Sequence, residues 1–386
     1  MSASGTPEAR PPKRVVVAGH VCLDLIPSFE ATGEGARLEP GSLLEVGAAT
    51  LAPGGGVANV GGALLKLGVP ARLIGKVGDD AFGGLLAGLL GTPNLIRAPG
   101  ESTSYTVVLS LPGSDRIFLH HSGCNDTFTP EDIDFSALAE ADLLYFGYPP
   151  LMRRLYEDGG EAFAAFLERV KGLGLTTALD LAMPDPQGRS GRADWPAFLA
   201  RVLPFVDLFM PSLTEVAWML GEEPSPADPA SLERFARGLL ACGARAVGLK
   251  LGERGLYLRT ADAPLALGRA APDDLTRWAG RELLSPVFEA AVRGTTGAGD
   301  ATVAGFLAGF VRGETPERCL ELACAVGAAS VEAADAVSGV PSWAGLGERL
   351  ARGWRRAAPH PGAAYGDPAY WRAGPNGVWR GRRDPS

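Results

Sequence analysis

Hydrophobic positions along the chain follow two alternating patterns. Short apolar runs rich in β-branched residues are typical of strands buried on both faces of a sheet. These runs cover residues 14–19, 141–147, 176–181, 206–210 and 246–250. Between them, apolar residues recur at helical spacing over residues 61–67, 81–90, 161–173, 213–220 and 231–242. The alternation predicts an α/β protein with a mostly parallel sheet.

Two stretches, residues 23–51 and 102–121, interrupt this alternation. Each contains short strand patterns and turn residues without an intervening helix. In the second stretch, residues 105–111 and 116–120 flank a Pro-Gly-Ser-Asp sequence, which predicts a hairpin. We expect the two stretches to pair into a small separate sheet. Such a sheet would form a lid over the carboxyl ends of the central strands, where open α/β sheets bind ligands.

The composition favours a small-molecule substrate over nucleic acid or a membrane. The 386 residues include 36 Lys and Arg against 44 Asp and Glu, a net charge of −8. This charge provides no general attraction for nucleic acid or anionic lipid. No apolar run reaches the ~18 residues of a transmembrane helix. Residues 1–14 are polar and lack the apolar core of a signal peptide.

The cysteines and histidines do not form a metal-binding or disulfide pattern. The five cysteines have no Cys-x-x-Cys spacing, and the chain contains 4 histidines. Neither a zinc cluster nor a disulfide framework is therefore predicted. We expect a cytoplasmic protein.

The segment from Gly294 to Phe306 places an acid behind a glycine-rich turn at the start of an apolar helix. Gly297 and Gly299 lack side chains, so their amides can approach an anion, and the first helical turn adds unpaired amides. Phosphate binding alone does not require the acid at Asp300. The acid has a role if it takes the proton from a hydroxyl that attacks phosphorus. The structural alternative is a capped helix with glycines for close packing.

A second glycine-rich stretch, residues 53–68, leads into a predicted helix with Asn59 near its start. Its successive glycines allow the backbone to approach a ligand closely. The Asn59 amide both donates and accepts hydrogen bonds, which suits a sugar or polyol hydroxyl. A dinucleotide-binding fingerprint would instead need glycine at this position, directly after the first strand. Asp24 does follow the first strand, where it can cap a loop or accept hydrogen bonds from ligand hydroxyls.

Other motifs bear on how the chain could bind a nucleotide and magnesium. The chain has no GxxxxGK[ST] loop and no protein-kinase HRD or DFG set, which argues against those two routes to nucleotide chemistry. Glu215 lies in the first turn of the helix predicted after residues 206–210. It can complement the helix dipole, or hold a water of a magnesium ion.

Residues 351–386 differ from the rest in composition and are predicted to be a C-terminal extension. Arginine, proline and glycine are interleaved there with aromatic residues. Arginine and aromatic side chains can stack on single-stranded nucleic acid. The acidic chain as a whole favours the other interpretation, in which the aromatics anchor the extension along the body or across a subunit.

Together these motifs resemble the ribokinase-like (PfkB) sugar kinase family over residues 14–345. The early hallmark is the glycine-rich stretch followed by residues 74–83, and the late hallmark is residues 295–301. Intermediate matches lie at residues 179–181, 211–215, 247–255 and 325–340. The resemblance implies a doubly wound α/β domain over residues 14–350 with a small β lid. It also implies transfer of the γ-phosphate of ATP, with magnesium, to a hydroxymethyl group of a sugar or related alcohol.

The resemblance assigns roles residue by residue. Asp300 resembles the catalytic base, and the amides of Gly297, Ala298 and Gly299 resemble the anion hole. The family positions that hold acceptor hydroxyls are matched by Asp24, Gly54, Gly55 and Asn59. The nucleotide-side positions are matched by Lys250, Gly252, Gly255, Thr295 and Cys324. Glu215 matches the acid of the family's Asn-x-x-Glu motif, which supports magnesium indirectly.

Three positions depart from the family pattern. Gly294 stands where many members have an aspartate that helps to hold a monovalent cation, so potassium activation is not predicted. Ser212 replaces the asparagine of Asn-x-x-Glu, which weakens the transfer of the magnesium role to Glu215. Cys324 lies near the place of an asparagine beside the adenine, which leaves the preferred nucleotide open.

The expected function is therefore that of an ATP- and magnesium-dependent carbohydrate kinase. A nucleoside kinase of the same fold stays open, because an aromatic lid strand at residues 105–111 can stack on a base. A non-catalytic sugar- or nucleotide-binding relative is a second alternative. An NAD-dependent oxidoreductase has little support from the misplaced glycine pattern. The apolar lid strands also predict a homodimer formed through the lid.

Overall fold

Strands and helices alternate through most of the chain in the computed structural model, which describes residues 13–29, 40–92, 94–111, 117–226, 228–358 and 367–385. The described strands are β1 (Val15–Gly19), β2 (Cys22–Pro27), β3 (Ala49–Gly54), β4 (Ala71–Ile74), β5 (Lys76–Gly78), β6 (Ile96–Ala98), β7 (Tyr105–Leu109), β8 (Ile117–His121), β9 (Leu143–Gly147), β10 (Thr176–Asp180), β11 (Leu208–Phe209), β12 (Ala246–Lys250), β13 (Leu256–Thr260), β14 (Glu282–Ser285), β15 (Trp371–Ala373) and β16 (Trp379–Gly381). The described helices are α1 (Gly55–Lys66), α2 (Ala81–Leu90), α3 (Phe135–Ala139), α4 (Arg153–Tyr156), α5 (Glu161–Gly172), α6 (Trp195–Val202), α7 (Leu213–Leu220), α8 (Pro229–Ala241), α9 (Ala298–Phe310), α10 (Pro316–Ser330) and α11 (Trp343–Ala351).

The central sheet has the strand order β15-β16-β14-β13-β12-β11-β10-β9-β1-β4. Strands β4, β1, β9, β10, β11 and β12 run parallel, and the pairs beyond β12 are antiparallel. Because successive side chains of a strand point to opposite faces, Val15 and Val17 enter one core while Val16 and Ala18 enter the other. Helices α1, α9, α10 and α11 cover the first face, and α5 to α8 cover the second. The predicted doubly wound α/β fold is confirmed.

The boundaries of several predicted elements shift. Strand 246–250 and helices 81–90 and 213–220 agree with the structure. The helix predicted over residues 61–67 is wrong at its start, because α1 begins at Gly55. Its glycines allow close packing: a Cβ at Gly61 would lie 2.2 Å from Cδ2 of Leu73 on β4. The strand predicted over residues 206–210 shortens to β11, and Pro211, two residues beyond its end, has no amide donor.

The lid is a separate four-stranded sheet in the order β3-β2-β7-β8. Strand β2 pairs antiparallel with β3 and parallel with β7, and β7 pairs antiparallel with β8. The predicted pairing of the two interrupting stretches is therefore confirmed. Residues 30–39 of the first stretch and the turn predicted at residues 112–115 lie outside the described residues. All five residues of β8 are exposed, and the homodimer stays a prediction.

The C-terminal segment continues the central sheet. Strand β16 pairs with β14 and with β15, and the indole of Trp371 is buried against Tyr257 with ring centroids 6.3 Å apart. Asp384 accepts a hydrogen bond of 2.9 Å from the buried Arg281 side chain. Residues 371–381 thus contribute two strands to the sheet edge. The domain boundary at residue 350 stays a prediction.

Two general properties bear on the sequence-based expectations. The five cysteines are free thiols, and four of them are buried. In the part of the chain that the structure describes, none of the helices combines the length and apolar character needed to cross a bilayer.

Candidate active site

The N-termini of α1 and α9 meet at the carboxyl ends of the central strands. Gly297, the residue before α9, has φ of 72° and has no room for a side chain, since a Cβ there would lie 2.2 Å from Cβ of Ala336. Asn59 in α1 donates a hydrogen bond of 2.9 Å from Nδ2 to Oδ2 of Asp300 in α9. Two glycine-rich motifs separated by 241 residues in the sequence are thereby joined.

The Asp300 carboxylate is buried and held by two donors. The Tyr148 hydroxyl donates a hydrogen bond of 2.5 Å to Oδ1, and Asn59 donates to Oδ2. Burial raises the pKa of Asp300 above its ordinary value, while Lys250 and the two hydrogen bonds oppose that shift. A fixed carboxylate with a raised pKa has the properties of a general base.

Lys250 lies beside the first turn of α9 and forms a buried ion pair. Its Nζ donates to both carboxylate oxygens of Asp180 at 2.7 Å. Burial alone would lower the pKa of Lys250, but the carboxylates of Asp180, Glu215 and Asp300 raise it above its ordinary value. The Nζ atom would lie 3.5 Å from a Cβ at Gly299. The ammonium group and the positive end of the α9 dipole therefore face the same space.

A cavity of about 780 Å³ opens beside this charge cluster. The predicted residues that line it are Lys250, Gly252, Gly255, Thr295, Ala298, Gly299 and Cys324. The Gly255 backbone lies against β14, since a Cβ there would lie 2.0 Å from the Ser285 carbonyl oxygen. Cys324 donates to the same oxygen over 3.5 Å. All five predicted nucleotide-side residues thus contact one cavity.

The predicted anion hole is the turn at the mouth of α9. Amides in the first turn of a helix have no intrahelical acceptor. The Ala298 amide donates to the Thr295 carbonyl at 3.3 Å, a long bond that a negatively charged acceptor would outcompete. Ala298 and Gly299 both line the cavity, so a phosphate group inside it could reach this turn.

On the other side of Asp300, Asp24 and the α1 glycines form a tightly packed group. A Cβ at Gly54 would lie 2.3 Å from Oδ2 of Asp24, and a Cβ at Gly55 would lie 2.5 Å from Nδ1 of His20. The Cys22 thiol donates to Oδ1 of Asp24 over 3.3 Å. Burial raises the pKa of Asp24 to about 6, and the charge of Asp300 adds to this shift. The glycines therefore make room for two polar side chains.

Several buried polar atoms beside Asp300 have no partner among the described residues. They are Nδ1 and Nε2 of His20, Oδ1 of Asn59 and the hydroxyl of Tyr145. The His20 ring lies between His120 and Tyr148, with centroid distances of 5.2 and 6.0 Å. Unsatisfied buried polar atoms are costly, so a region that contains several of them is suited to a polar ligand.

Glu215 lies at the start of α7 and caps this helix. The Ser212 amide donates to Oε2 of Glu215 at 2.8 Å, and the Glu215 amide donates to Oγ of Ser212 at 3.1 Å. Ser212, which replaces the family's asparagine, is thus half of a capping box. Burial raises the pKa of Glu215, and Lys250 opposes that shift.

The donor set fits a magnesium ion held through water rather than directly. Within the described ranges, no three His, Cys, Asp or Glu side chains are grouped as direct metal ligands. Three carboxylates, from Asp180, Glu215 and Asp300, act on the Lys250 ammonium. This excess of negative charge is of the kind that a hydrated divalent cation offsets.

Gly294 is explained by its surroundings. A Cβ there would lie 2.9 Å from the Ala334 carbonyl oxygen and 3.0 Å from that of Ala333. The aspartate of many family members would need this backbone to shift. The structure therefore gives a steric reason for glycine here, and the expectation that potassium does not activate the protein stays a prediction.

Three site residues were not assigned a role from the sequence. Tyr148 follows β9 with φ of 68°, Asp180 ends β10, and His20 follows β1. All three stand at carboxyl ends of neighbouring parallel strands, whereas Asp24, which follows the first strand in the sequence, lies inside lid strand β2. That shared position was the available signal, because such strand ends meet at one edge of the sheet.

Comparisons with known proteins agree with this fold. Residues 12–343 match the pfkB family of carbohydrate kinases. An uncharacterized sugar kinase of Archaeoglobus fulgidus is 26% identical over 283 residues, which cover 72% of this chain and 98% of that protein. The structure of Arabidopsis thaliana ribokinase complexed with ribose and ATP superposes with a TM-score of 0.67 at 21% identity, covering 88% of this chain and 99% of that one. The nucleoside kinase of Methanocaldococcus jannaschii, an archaeal member of the ribokinase family, superposes with a TM-score of 0.61 at 19% identity over 88% and 98% of the two chains. The chain is therefore a member of the pfkB family of carbohydrate kinases.

Proposed function

We propose that the protein transfers the γ-phosphoryl group of ATP to a hydroxymethyl group of a sugar or sugar-like alcohol. The observation that carries this proposal is the position of Asp300. Its buried carboxylate is held by Asn59 and Tyr148 in the first turn of a helix whose N-terminal residues line the adjoining cavity. A base that is fixed between an acceptor region and an anion turn is the arrangement that phosphoryl transfer to an alcohol needs.

The acceptor binds on the Asp24 side of Asp300. The Asp24 carboxylate, Oδ1 of Asn59 and the His20 ring nitrogens are the groups available to its hydroxyls. The reacting hydroxyl faces Asp300, which takes its proton as the oxygen forms a bond to the γ-phosphorus. The bond from that phosphorus to the bridging oxygen breaks, and ADP leaves with the bonding electrons.

The nucleotide occupies the cavity of about 780 Å³. The amides at Gly297, Ala298 and Gly299 and the Lys250 ammonium face the transferred phosphoryl group, where negative charge is distributed in the transition state. Asp180 holds Lys250 in place. Magnesium, when bound, supplies further positive charge to the phosphate oxygens, and Glu215 is the residue that would hold one of its waters.

The test of this proposal combines a substrate panel with Asp300→Asn. Wild-type protein should consume ATP with at least one neutral sugar or polyol. Asp300→Asn should lower kcat by about 100-fold or more, the range expected for loss of a general base. Acceptor binding, measured by calorimetry, should survive because Asn keeps the size and the hydrogen-bonding capacity of the side chain.

The matched control is Asp262→Asn, an exposed acid after β13, which should leave kcat unchanged. Near-normal turnover of Asp300→Asn would remove Asp300 from the role of base. Binding without turnover for every acceptor tested would instead identify a non-catalytic relative.

A nucleoside acceptor is the second candidate, and the aromatic groups of the lid favour it. The Tyr105 ring lies 5.6 Å from the Phe82 ring and 5.3 Å from the His121 ring, between centroids. Such rings can stack on a base as well as close over a sugar. Comparing kcat/KM for ribose, fructose and adenosine at fixed ATP separates the two acceptor classes, and a preference of tenfold or more for the nucleoside would overturn the sugar assignment.

A further inference from the structure

The chain continues beyond the family match, and its continuation contacts the proposed nucleotide cavity. The match ends at residue 343, whereas Ala357 lines the cavity beside Val287 and Phe288. The Ala357 amide donates to the Val287 carbonyl at 3.0 Å, and the Glu289 amide donates to the Arg355 carbonyl at 3.0 Å. Residues 354–357 therefore run antiparallel along the segment that follows β14.

Arg356 joins three parts of this region. Its Nη1 donates to Oγ of Ser285 at 3.1 Å and to the Pro286 carbonyl at 2.7 Å. Its Nη2 donates to the Asn376 carbonyl at 2.6 Å, in the turn between β15 and β16. The guanidinium carbon also lies 3.8 Å from the centre of the Phe288 ring. One side chain thus connects the cavity wall to the C-terminal hairpin.

Trp354 supports the same wall from outside. Its ring lies 4.8 Å from the Phe288 ring between centroids, and its Nε1 donates to the Glu289 carbonyl at 2.8 Å. The Arg349 guanidinium lies 3.4 Å from the Trp354 ring centre and donates twice to Glu332 at 2.7 Å. The stack of rings and guanidinium groups holds Phe288 against the cavity.

This support matters because residues 286–297 contain no helix or extended strand of their own. The position of an irregular segment depends on side-chain contacts, since it lacks the repeated backbone hydrogen bonds of a regular element. The segment supplies Val287, Phe288, Ala290 and Val292 to the cavity. Apolar linings with few polar groups suit a planar heteroaromatic base.

We propose that residues 354–357, together with the β15–β16 hairpin, are part of the nucleotide site. They hold the Phe288 wall, the part of residues 286–297 that lines the cavity, against the base of the donor nucleotide. Arg356 is the positioning residue in this arrangement. The inference rests on the proposed function only in taking the cavity to be the nucleotide site. It adds a contribution from chain that lies outside the family match.

Three full-length variants test the inference by direct binding of fluorescent methylanthraniloyl-ADP. Arg356→Met keeps an unbranched side chain over Phe288 but removes the three hydrogen bonds, and it should raise the nucleotide Kd about tenfold, or roughly 1.4 kcal/mol. Arg356→Lys keeps the charge without the planar guanidinium group, so its nucleotide Kd should lie between those of wild type and Arg356→Met. The control is Arg352→Gln in the same segment, an arginine whose ion pair with Glu348 is at the surface, and its Kd should match that of wild type.

A second readout separates positioning of the wall from a general loss of structure. In steady-state kinetics, Arg356→Met should raise KM for ATP about tenfold and leave KM for the acceptor within about twofold. If Arg356→Met does not fold, Ala357→Leu replaces it, because this half-buried side chain faces the cavity and its enlargement should also weaken nucleotide binding.

The outcomes distinguish this inference from the proposed function. Equal nucleotide Kd values for wild type and Arg356→Met would overturn the inference while leaving the kinase proposal intact. Arg356-dependent nucleotide binding without turnover on any acceptor would support the inference and overturn the proposed function. Absence of nucleotide binding by wild type would overturn both.

Discussion

Helices α1 and α9 both begin at glycine-rich turns, but the two sets of glycines have different purposes. At α1 the glycines face protein atoms: a Cβ at Gly54 would lie 2.3 Å from Asp24, and one at Gly56 would lie 3.0 Å from Cα of Gly147. The first-turn amide of Val57 already donates to the His20 carbonyl at 3.1 Å. At α9, a Cβ at Gly299 would meet only the Lys250 side chain, at an ordinary contact distance of 3.5 Å.

This difference shows that a glycine-rich helix start does not by itself indicate an anion site. In α1 the missing side chains create room for Asp24 and His20, which are suited to bind hydroxyl groups. In α9, Gly297 also faces protein, but the missing side chain of Gly299 leaves the cavity open beside Lys250 and the positive end of a helix dipole, which suits phosphate. The hydrogen bond from Asn59 to Asp300 joins the two helices, so the acceptor and phosphoryl regions share one carboxylate.

Gly299→Ala should have the largest effect of the changes that separate the two helices. The methyl group would enter the cavity beside Lys250 and block close approach of the phosphoryl group. We expect kcat/KM for ATP to fall roughly 100-fold, similar to the loss of one oxyanion donor. Thermal unfolding should show equal or higher stability, because alanine favours a helix by up to about 1 kcal/mol over glycine.

Gly88→Ala is the matched control, since a Cβ at this glycine of α2 would have no neighbour within 4 Å. It should gain similar stability and keep full activity. If Gly299→Ala is as active as Gly88→Ala, the α9 turn is not the anion hole.

Gly54→Ala should lower stability, whereas Gly299→Ala should leave it equal or higher. The φ of −127° at Gly54 suits any residue, and the three atoms nearest to the added methyl group all belong to the Asp24 carboxylate. We expect the free energy of unfolding in urea to fall by roughly 2 kcal/mol, as for other overpacked sites.

A double-mutant cycle checks the cause of that loss. In an Asp24→Ala background the same substitution should cost less than about 0.5 kcal/mol, because the clashing carboxylate is gone. Additive losses would show that Gly54 is needed for another reason.

The pH dependence of acceptor binding should show the smallest of these effects. Because burial raises the pKa of Asp24 to about 6, this carboxylate should lose most of its charge between pH 7 and pH 5. The acceptor Kd, measured without nucleotide, should rise about tenfold over that range. Asp24→Asn should abolish this dependence, and an unchanged pH profile would contradict the role of Asp24 in acceptor binding.

As pH falls toward 4, the free energy of unfolding should rise, whereas acceptor affinity should fall. The folded pKa of Asp24 lies above its ordinary value of 3.8, so the folded state binds more protons between about pH 4 and 6. The contribution of Asp24 to the unfolding free energy is therefore lost as pH rises through this window. Asp24→Asn should remove this loss in urea unfolding curves.

Much of the fold and part of the site could be predicted from the sequence. Strand 246–250 and helix 81–90 agree with the structure because their apolar patterns are local. The glycine-rich turns and their polar residues were recognised for a similar reason, since backbone freedom and dipole position depend on a few neighbouring residues. The roles proposed for Asp24, Asn59 and Asp300 remain predictions.

The start of α1 and the edge of the central sheet could not be predicted in this way. Glycine has a low helix propensity, which argues against a helix that starts at Gly55. Close packing against β4 nevertheless requires glycine inside this helix. The C-terminal strand β16 pairs with β14, about a hundred residues earlier, and nothing in a three-residue strand identifies its partner.

Local sequence patterns are sufficient to predict the α/β alternation, the separate lid and the two glycine-rich turns, because each depends on short-range periodicity or backbone freedom. Long-range packing determines which turn is filled by protein and which opens on a cavity. It also brought Tyr148 to Asp300 across 152 residues and placed Arg356 behind Phe288. Such contacts form only when distant segments pack, so no local pattern encodes them.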